Sequence, residues 1–277
     1  MKLTPLVFGL LFVIRRQWRE AITTGATFVV CVILAFIFDP TNSKIYWTSA
    51  LAKTSSLVDV GYSSNQSFQG FLTRYAPAGI QKPAWLLCVL VALALTVHGT
   101  VRISRVSRRR GGGAQSSVTN AALFSLFCLV GLQVSPISWV HHWVWFIPLA
   151  LVVVVAAMSV TDIATSRTSF WLAAMAIEVL MLPSNLLLPH ENGVEEQFPV
   201  WLRSMYEPYV VVGIMFILTA CILPQALLGI SRDREDAVAE YWSYFVRVVA
   251  LFILLASHTG ATFVTYPWIA TDTFLIQ

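Results

Sequence analysis

Ala21-Ile22-Thr23-Thr24-Gly25-Ala26-Thr27-Phe28-Val29-Val30-Cys31-Val32-Ile33-Leu34-Ala35-Phe36-Ile37-Phe38 carries no charge from end to end and closes on Asp39-Pro40. At about 1.5 Å per residue it covers roughly 27 Å, close to the ~30 Å of hydrocarbon in a bilayer. Lipid gives exposed backbone amides no partner, so such a run must be a helix or part of a closed barrel. The absence of strict alternation selects the helix. Comparable blocks lie at roughly 84–101, 118–134, 143–160, 168–188, 208–230 and 243–264. The expected fold is all-α, one polytopic helical membrane domain over residues 1–277. Leu3 to Ile14 forms a shorter apolar block, expected as a partial span or as a re-entrant or interfacial segment.

The composition agrees. Of 277 residues, 57% are hydrophobic and 12% charged, with a mean hydropathy of +0.72, too apolar for the surface of a soluble domain. That excludes a soluble cytoplasmic enzyme. The net charge of +4 does not point to nucleic acid, because Arg102, Arg105, Arg108, Arg109 and Arg110 crowd into one loop beside an apolar block. Such placement is a topology signal, and the positive-inside rule puts Arg15, Arg16, Arg19, the 102–117 loop, Arg167 and Ser231 to Asp236 on the cytoplasmic face. By alternation the 39–82 loop, Pro136 to His142, Pro189 to Glu207 and the C-terminal tail face outward. Cys31, Cys88, Cys128 and Cys221 sit within apolar blocks without metal or redox spacing and are expected as small buried hydrophobes. No cleavable signal is evident, since Arg15-Arg16 directly follows the first apolar stretch.

The 39–82 loop, with Tyr46, Trp47, Tyr62, Phe68, Phe71 and Tyr75, is too aromatic for a tether and is expected to form one or two short interfacial helices. Arg108 to Gln115 reads as a flexible linker. Tryptophans near span ends, among them Trp18, Trp47, Trp85, Trp139, Trp143, Trp201 and Trp268, fit an aromatic belt.

Some polar groups need more than a bilayer to explain them. In Ser135-Pro136-Ile137-Ser138-Trp139-Val140-His141-His142-Trp143, Pro136 interrupts helical hydrogen bonding so that polar groups can converge. Adjacent histidines on a helix point about 100° apart, so one could enter a cavity and contact phosphate while the other meets headgroups. A hydrogen-bonded interfacial pair is the plainer reading. The two lack a third ligand at recognisable spacing, so no metal site is expected. Lys2 in Lys2-Leu3-Thr4-Pro5 suits a lipid-linked phosphate or simple snorkelling. In Gly61-Tyr62-Ser63-Ser64-Asn65-Gln66-Ser67-Phe68, Asn65 and Gln66 could position a sugar or headgroup, or Asn65 could cap the next helix. Asn65-Gln66-Ser67 also matches the glycosylation sequon, a weak signal. Glu178 inside its block is either functional or a packing residue. Asp39 reads as a helix terminator and Asp59 as a solvated acid, while His98 and His258 read as locally bonded. Glu191, Glu195, Glu196 and Glu207 read as a solvated face.

Lys2-Leu3-Thr4-Pro5, Arg15-Arg16-Gln17-Trp18-Arg19, Asn65-Gln66-Ser67 and the Ser135 to His142 run occur in an order that resembles the actinobacterial polyprenyl-phosphate-mannose-dependent mannosyltransferases of glycosyltransferase family 87. The resemblance covers most of the chain, and its most specific segment is the last. It implies the C-terminal part of a GT-C type fold, and transfer of mannose from a polyprenyl phosphate donor to a lipid-linked glycan acceptor at the outer face of the plasma membrane. That acceptor would be a phosphatidylinositol mannoside, lipomannan or lipoarabinomannan. By the same resemblance Lys2 and His141 or His142 contact the donor phosphate, Asn65 and Gln66 position sugar or headgroup, and no cofactor is required. Similar proteins are longer at the N-terminus and carry there the aspartate that activates the acceptor. That residue has no counterpart here, and the chain alone is expected to be inactive. Arabinose transfer from a decaprenyl phosphate donor is a related alternative. From a different class come a transporter or flippase for lipid-linked sugars, suited by Glu178, Pro183 and Pro224, and a structural membrane subunit.

Overall fold

A computed structural model describes residues 6–50, 59–109, 114–182, 184–188, 198–232 and 237–265. The described residues are helical without strands, and six helices are long and apolar enough to cross a membrane. In chain order the α-helices are α1 (Val7–Ile14), α2 (Trp18–Phe38), α3 (Pro40–Ile45), α4 (Phe68–Tyr75), α5 (Ala78–Arg109), α6 (Ala114–Val134) and α7 (Ile147–Ser159). There follow α8 (Ile163–Met181), α9 (Ser184–Leu187), α10 (Val200–Arg203), α11 (Pro208–Ile222), α12 (Gln225–Leu228) and α13 (Ala237–Thr265). A 3₁₀ segment, Val140–Phe146, leads into α7.

Helix ends follow local chemistry. Asp39 ends α2 and caps α3, its carboxylate accepting from the Asn42 backbone at 3.1 Å and the Asn42 amide at 2.7 Å. Those bonds, the side-chain one foremost, hold its carboxyl below the usual range. Pro40 and Pro208 occupy first-turn positions, where a missing N–H costs nothing. The expected 208–230 span is instead broken: α11 stops at Ile222, Pro224 starts α12, and Gly229 turns left-handed at φ 65. A Cβ on Gly229 would also meet Ala156 Cα at 3.1 Å, so α7 passes hard against the turn. Pro83 lies inside α5, which extends well beyond the expected 84–101 on both sides. The expected flexible linker shrinks correspondingly, since α5 runs to Arg109 and α6 resumes at Ala114.

α6 is the axis of the bundle. Leu123, Leu126, Phe127, Leu129 and Val130 are all fully buried, packed with Trp143, Phe146, Leu149, Leu172, Met175, Val212 and Phe216 from the 3₁₀ segment, α7, α8 and α11. Trp143 is therefore a core residue, tilted on Tyr209 at 4.9 Å, and not the interfacial anchor its position suggested. α2 is the opposite case. None of its residues is buried, and Cys31 is exposed on it, contrary to the expectation of a buried thiol.

Loops pair off in two sets, one at each end of the bundle. At one end Arg15 bonds Asn120 (2.6 Å), Thr161 bonds Ser231 (2.8 Å), and the Arg232 amide donates to Asp162 (2.9 Å). At the other end meet the 59–75, 135–142 and 203–207 segments. The alternation of spans had assigned each set to a common face.

Candidate functional site

Where α6 stops at Val134, Ser135 to Trp139 runs extended and pairs with the loop ahead of α4. The Gln66 amide donates to Ser138 O (2.9 Å), the Val140 amide to Ser64 O (3.1 Å), and Asn65 bridges Trp139. Asn65 is fully buried at the centre of this junction. Its Oδ1 accepts from the Ser138 amide (2.8 Å), and its Nδ2 donates to Val60 O (2.9 Å) and Pro136 O (3.3 Å). Gln66, also fully buried, donates through Nε2 to Ser63 O and Tyr206 O (both 2.7 Å) and accepts from the Tyr209 amide (3.3 Å). The helix cap is Ser67, whose Oγ accepts from the Gly70 amide at 3.1 Å, so the capping expected of Asn65 falls two positions later. Gly70 is where α4 crosses Asn65: a Cβ there would run into the Asn65 carbonyl oxygen and lie 2.9 Å from its Cγ.

A buried ion pair locks the third loop to these two. Arg74 Nε and Nη2 donate to the two Glu207 oxygens, each at 2.6 Å, with 7% and 2% of the side chains exposed. Arg74 Nη1 also reaches the carbonyls of Gly61 (3.2 Å), Tyr62 (3.0 Å) and Asn65 (3.2 Å). Tyr75 donates to Arg203 O at 2.5 Å, and Arg203 Nη2 returns to Arg74 O at 2.9 Å. Burial pushes the Glu207 carboxyl up, and the facing Arg74 guanidinium works against it. Glu207 is thus not part of a solvated face, because its cation comes from a different loop. Pairing Arg74 with Glu207 was not anticipated. The available signal was a lone arginine and a glutamate just ahead of Pro208, in loops assigned to one side. Glu191, Glu195 and Glu196 lie outside the described residues.

Beside this junction an apolar cavity of about 350 Å³ runs along α6, lined by Phe8 and Val7 of α1, Phe124, Phe127 and Leu132 of α6, and Trp145. Its polar end is made by Ser135, Ser138 and His142. The Trp139 amide donates to His142 Nδ1 at 3.1 Å, and the His142 amide donates to Trp139 O at 2.8 Å. With Nδ1 an acceptor, the ring proton of a neutral imidazole sits on Nε2. His141 does not line the cavity; it is exposed, its ring 4.4 Å from that of His142 and inclined at 65°. Tyr62 stands at the same rim, edge-on to Trp139 at 6.3 Å, whereas Phe68 turns inward and is 7% exposed.

Lys2 lies outside the described residues. His142, Asn65 and Gln66 are brought to one junction, the first at the cavity and the other two behind its wall. Glu178 lies in α8, half-buried, with Oε1 unpartnered. His98 is exposed, and His258 Nδ1 lies 2.8 Å from Leu254 O. Asp59 accepts from the Gly61 amide at 2.9 Å. Among the described residues no three His, Cys, Asp or Glu side chains gather as metal ligands.

The chain is 34% identical over 201 residues to a polyprenol-phosphate-mannose-dependent alpha-(1-2)-phosphatidylinositol mannoside mannosyltransferase of Mycolicibacterium smegmatis, an alignment spanning 69% of this chain and 42% of that protein. It is 32% identical over 206 residues to the protein of the same description from Mycobacterium tuberculosis, spanning 74% and 44%. To the M. smegmatis alpha-(1-2)-phosphatidylinositol pentamannoside mannosyltransferase it is 33% identical over 153 residues, spanning 54% and 34%. The chain thus spans less than half the length of the relatives it matches. No solved structure gives a significant match. Residues 1–130, which include the Asn65 loop and most of the bundle axis, match glycosyltransferase family 87, the family that the sequence resembles.

Proposed function

We propose that the chain serves a glycosyltransferase reaction in which mannose passes from a polyprenyl phosphate donor to a lipid-linked glycan acceptor. The observation that carries this reading is the apolar cavity along α6 that ends on His142. An isoprenoid chain needs a groove without polar groups, and its phosphate needs donors at one end of that groove. Phe8, Phe124, Phe127 and Leu132 supply the first, and Nε2–H of His142 supplies the second. In the transfer an acceptor hydroxyl oxygen bonds the anomeric carbon and gives its proton to a base, the bond between that carbon and the phosphate oxygen breaks, and negative charge grows on that oxygen. An N–H held near that oxygen would stabilise the transition state more than the ground state. Lys2 would add a cation to the same phosphate. His141, at the mouth, would meet the sugar or a headgroup. Asn65 and Gln66 act as positioning residues, holding the floor by their backbone contacts. The acceptor is a phosphatidylinositol mannoside or a related lipomannan, and the reaction faces the extracytoplasmic side, as the arginine-rich opposite end suggests.

The test is photocrosslinking of the full chain in proteoliposomes with a diazirine-bearing polyprenyl phosphate mannose. Labelling should fall on α1 and α6 around Phe8 and Phe124, and His142→Ala should weaken donor capture about tenfold, roughly one charge-assisted hydrogen bond. Labelling elsewhere, or capture indifferent to His142→Ala, overturns the reading. Movement of labelled lipid across the bilayer without a new glycosidic bond would favour the flippase instead.

A further inference from the structure

At the far end of α5 and α6 lies a second and larger cavity, about 980 Å³, lined by Ile14, Arg15 and Arg16 at the α1–α2 turn, by Val101, Ser104, Arg105, Ser107, Arg108 and Arg109 of α5, and by Thr119 of α6. The geometry points to a binding site for a group carrying two phosphates, the headgroup of a bis-anionic phospholipid. The mannosyl-transfer reading plays no part in this inference, because Thr119 and Val134 are about 22 Å apart along α6.

The cavity collects cations: among the described residues no carboxylate lines it, and the one ion pair is Arg74 with Glu207, at the other end. Arg105, Arg108 and Arg109 follow at i, i+3 and i+4, so they share a helix face and repel one another, at a cost to the helix. Their place in the last turns of α5 offsets part of that repulsion through the negative end of the helix dipole. Arg16 adds a backbone cost. It stands at φ 58, the left-handed region in which glycine or asparagine is the ordinary choice, with its amide tied to Val13 O at 3.0 Å. Arg15 is clamped by Asn120 at 2.6 Å, which fixes one wall, and Thr119 donates to Ser107 Oγ at 2.7 Å, which fixes the floor between α5 and α6. An anion held between the walls would relieve the like-charge repulsion.

The ligand class follows from shape and chemistry. Guanidinium forks match phosphate oxygens two at a time, and here they stand on two walls, the turn and the α5 terminus, so one phosphate can be taken by each. The volume exceeds what a single phosphate fills. Ile14 and Val101 add an apolar border suited to the glycerol and upper acyl carbons of a lipid, and basic pockets between transmembrane helix ends are known to hold such headgroups. A soluble pyrophosphate shares the charge pattern but leaves that border uncovered.

The experiment is native mass spectrometry of the full chain in detergent, titrated with tetraoleoyl cardiolipin, dioleoyl phosphatidylcholine and sodium pyrophosphate. Cardiolipin adducts should persist at concentrations at least about tenfold below those of phosphatidylcholine. The Arg105→Gln/Arg108→Gln/Arg109→Gln variant should lose most of that preference with its thermal midpoint unchanged. The corresponding lysine variant should retain part of it, since charge remains while the fork is lost. Cardiolipin displaced only by excess pyrophosphate identifies the lipid as the source, and displacement at parity identifies a soluble bisphosphate in the same site. Equal binding of cardiolipin and phosphatidylcholine, or an undiminished preference in the glutamine variant, overturns the proposal.

Discussion

The two ends of α6 solve the placement of polar groups in opposite ways. At the Ser135 end nearly every strong donor and acceptor of Asn65, Gln66 and Arg74 is spent inside the protein, on backbone groups of three separate loops and on the Glu207 carboxylate. At the Thr119 end the arginines of α5 meet no carboxylate among the described residues. The first arrangement keeps a shape, and the second keeps a charge. Binding geometry near His142 is therefore expected to depend on residues that never touch a ligand, whereas the arginine end should tolerate substitution with little effect on folding.

The contrast breaks most severely at Glu207. Glu207→Ala leaves the Arg74 guanidinium buried without its carboxylate, which should cost about 3–5 kcal/mol, read as a lowered unfolding midpoint in detergent. Adding Arg74→Met should cost less than the sum of the two single changes, and strict additivity would show that the pair is not coupled. Asn65→Ala strands the Ser138 amide and the Val60 carbonyl, Pro136 O keeping its bond from Ser67 Oγ, and should cost roughly 2–3 kcal/mol, accompanied by faster hydrogen exchange at Ser138. Gly70→Ala drives a methyl into the Asn65 carbonyl, a backbone atom that cannot swing aside, for a loss of about 1–3 kcal/mol visible in the same melting curve. At the other end Arg15→Gln, which exchanges one exposed partner of Asn120 for another, should shift stability by no more than about 0.5 kcal/mol. A large effect there would erase the distinction between the ends.

Apolar runs disclose helices because length and continuity are properties of the chain itself, and α2, α6 and α13 lie close to where hydropathy puts them. Hydropathy does not disclose neighbours. α2 and α6 read alike, yet α2 buries nothing and α6 carries the core. An interruption near Pro224 was legible from its proline, but Leu223 and Ala226 keep the run apolar and hide that it divides into two helices. At the candidate site the Ser135 to His142 run stood out by its proline and paired histidines, but the division of labour between His142 and His141 did not, because it depends on a backbone amide at Trp139. The partnership of Arg74 with Glu207 spans 133 positions, and only the fold brings residues so far apart together.

The α1 helix closes the groove on one side with eight residues, and Phe8 of α1 stacks on Phe124 of α6 at 4.9 Å. Since the opposite rim is pinned by Arg74 and Asn65, an isoprenoid sliding in from the bilayer would part that ring pair and leave the pinned loops still. If the groove takes the donor lipid as proposed, it would open like a side door at this ring pair, the one wall that a short helix builds.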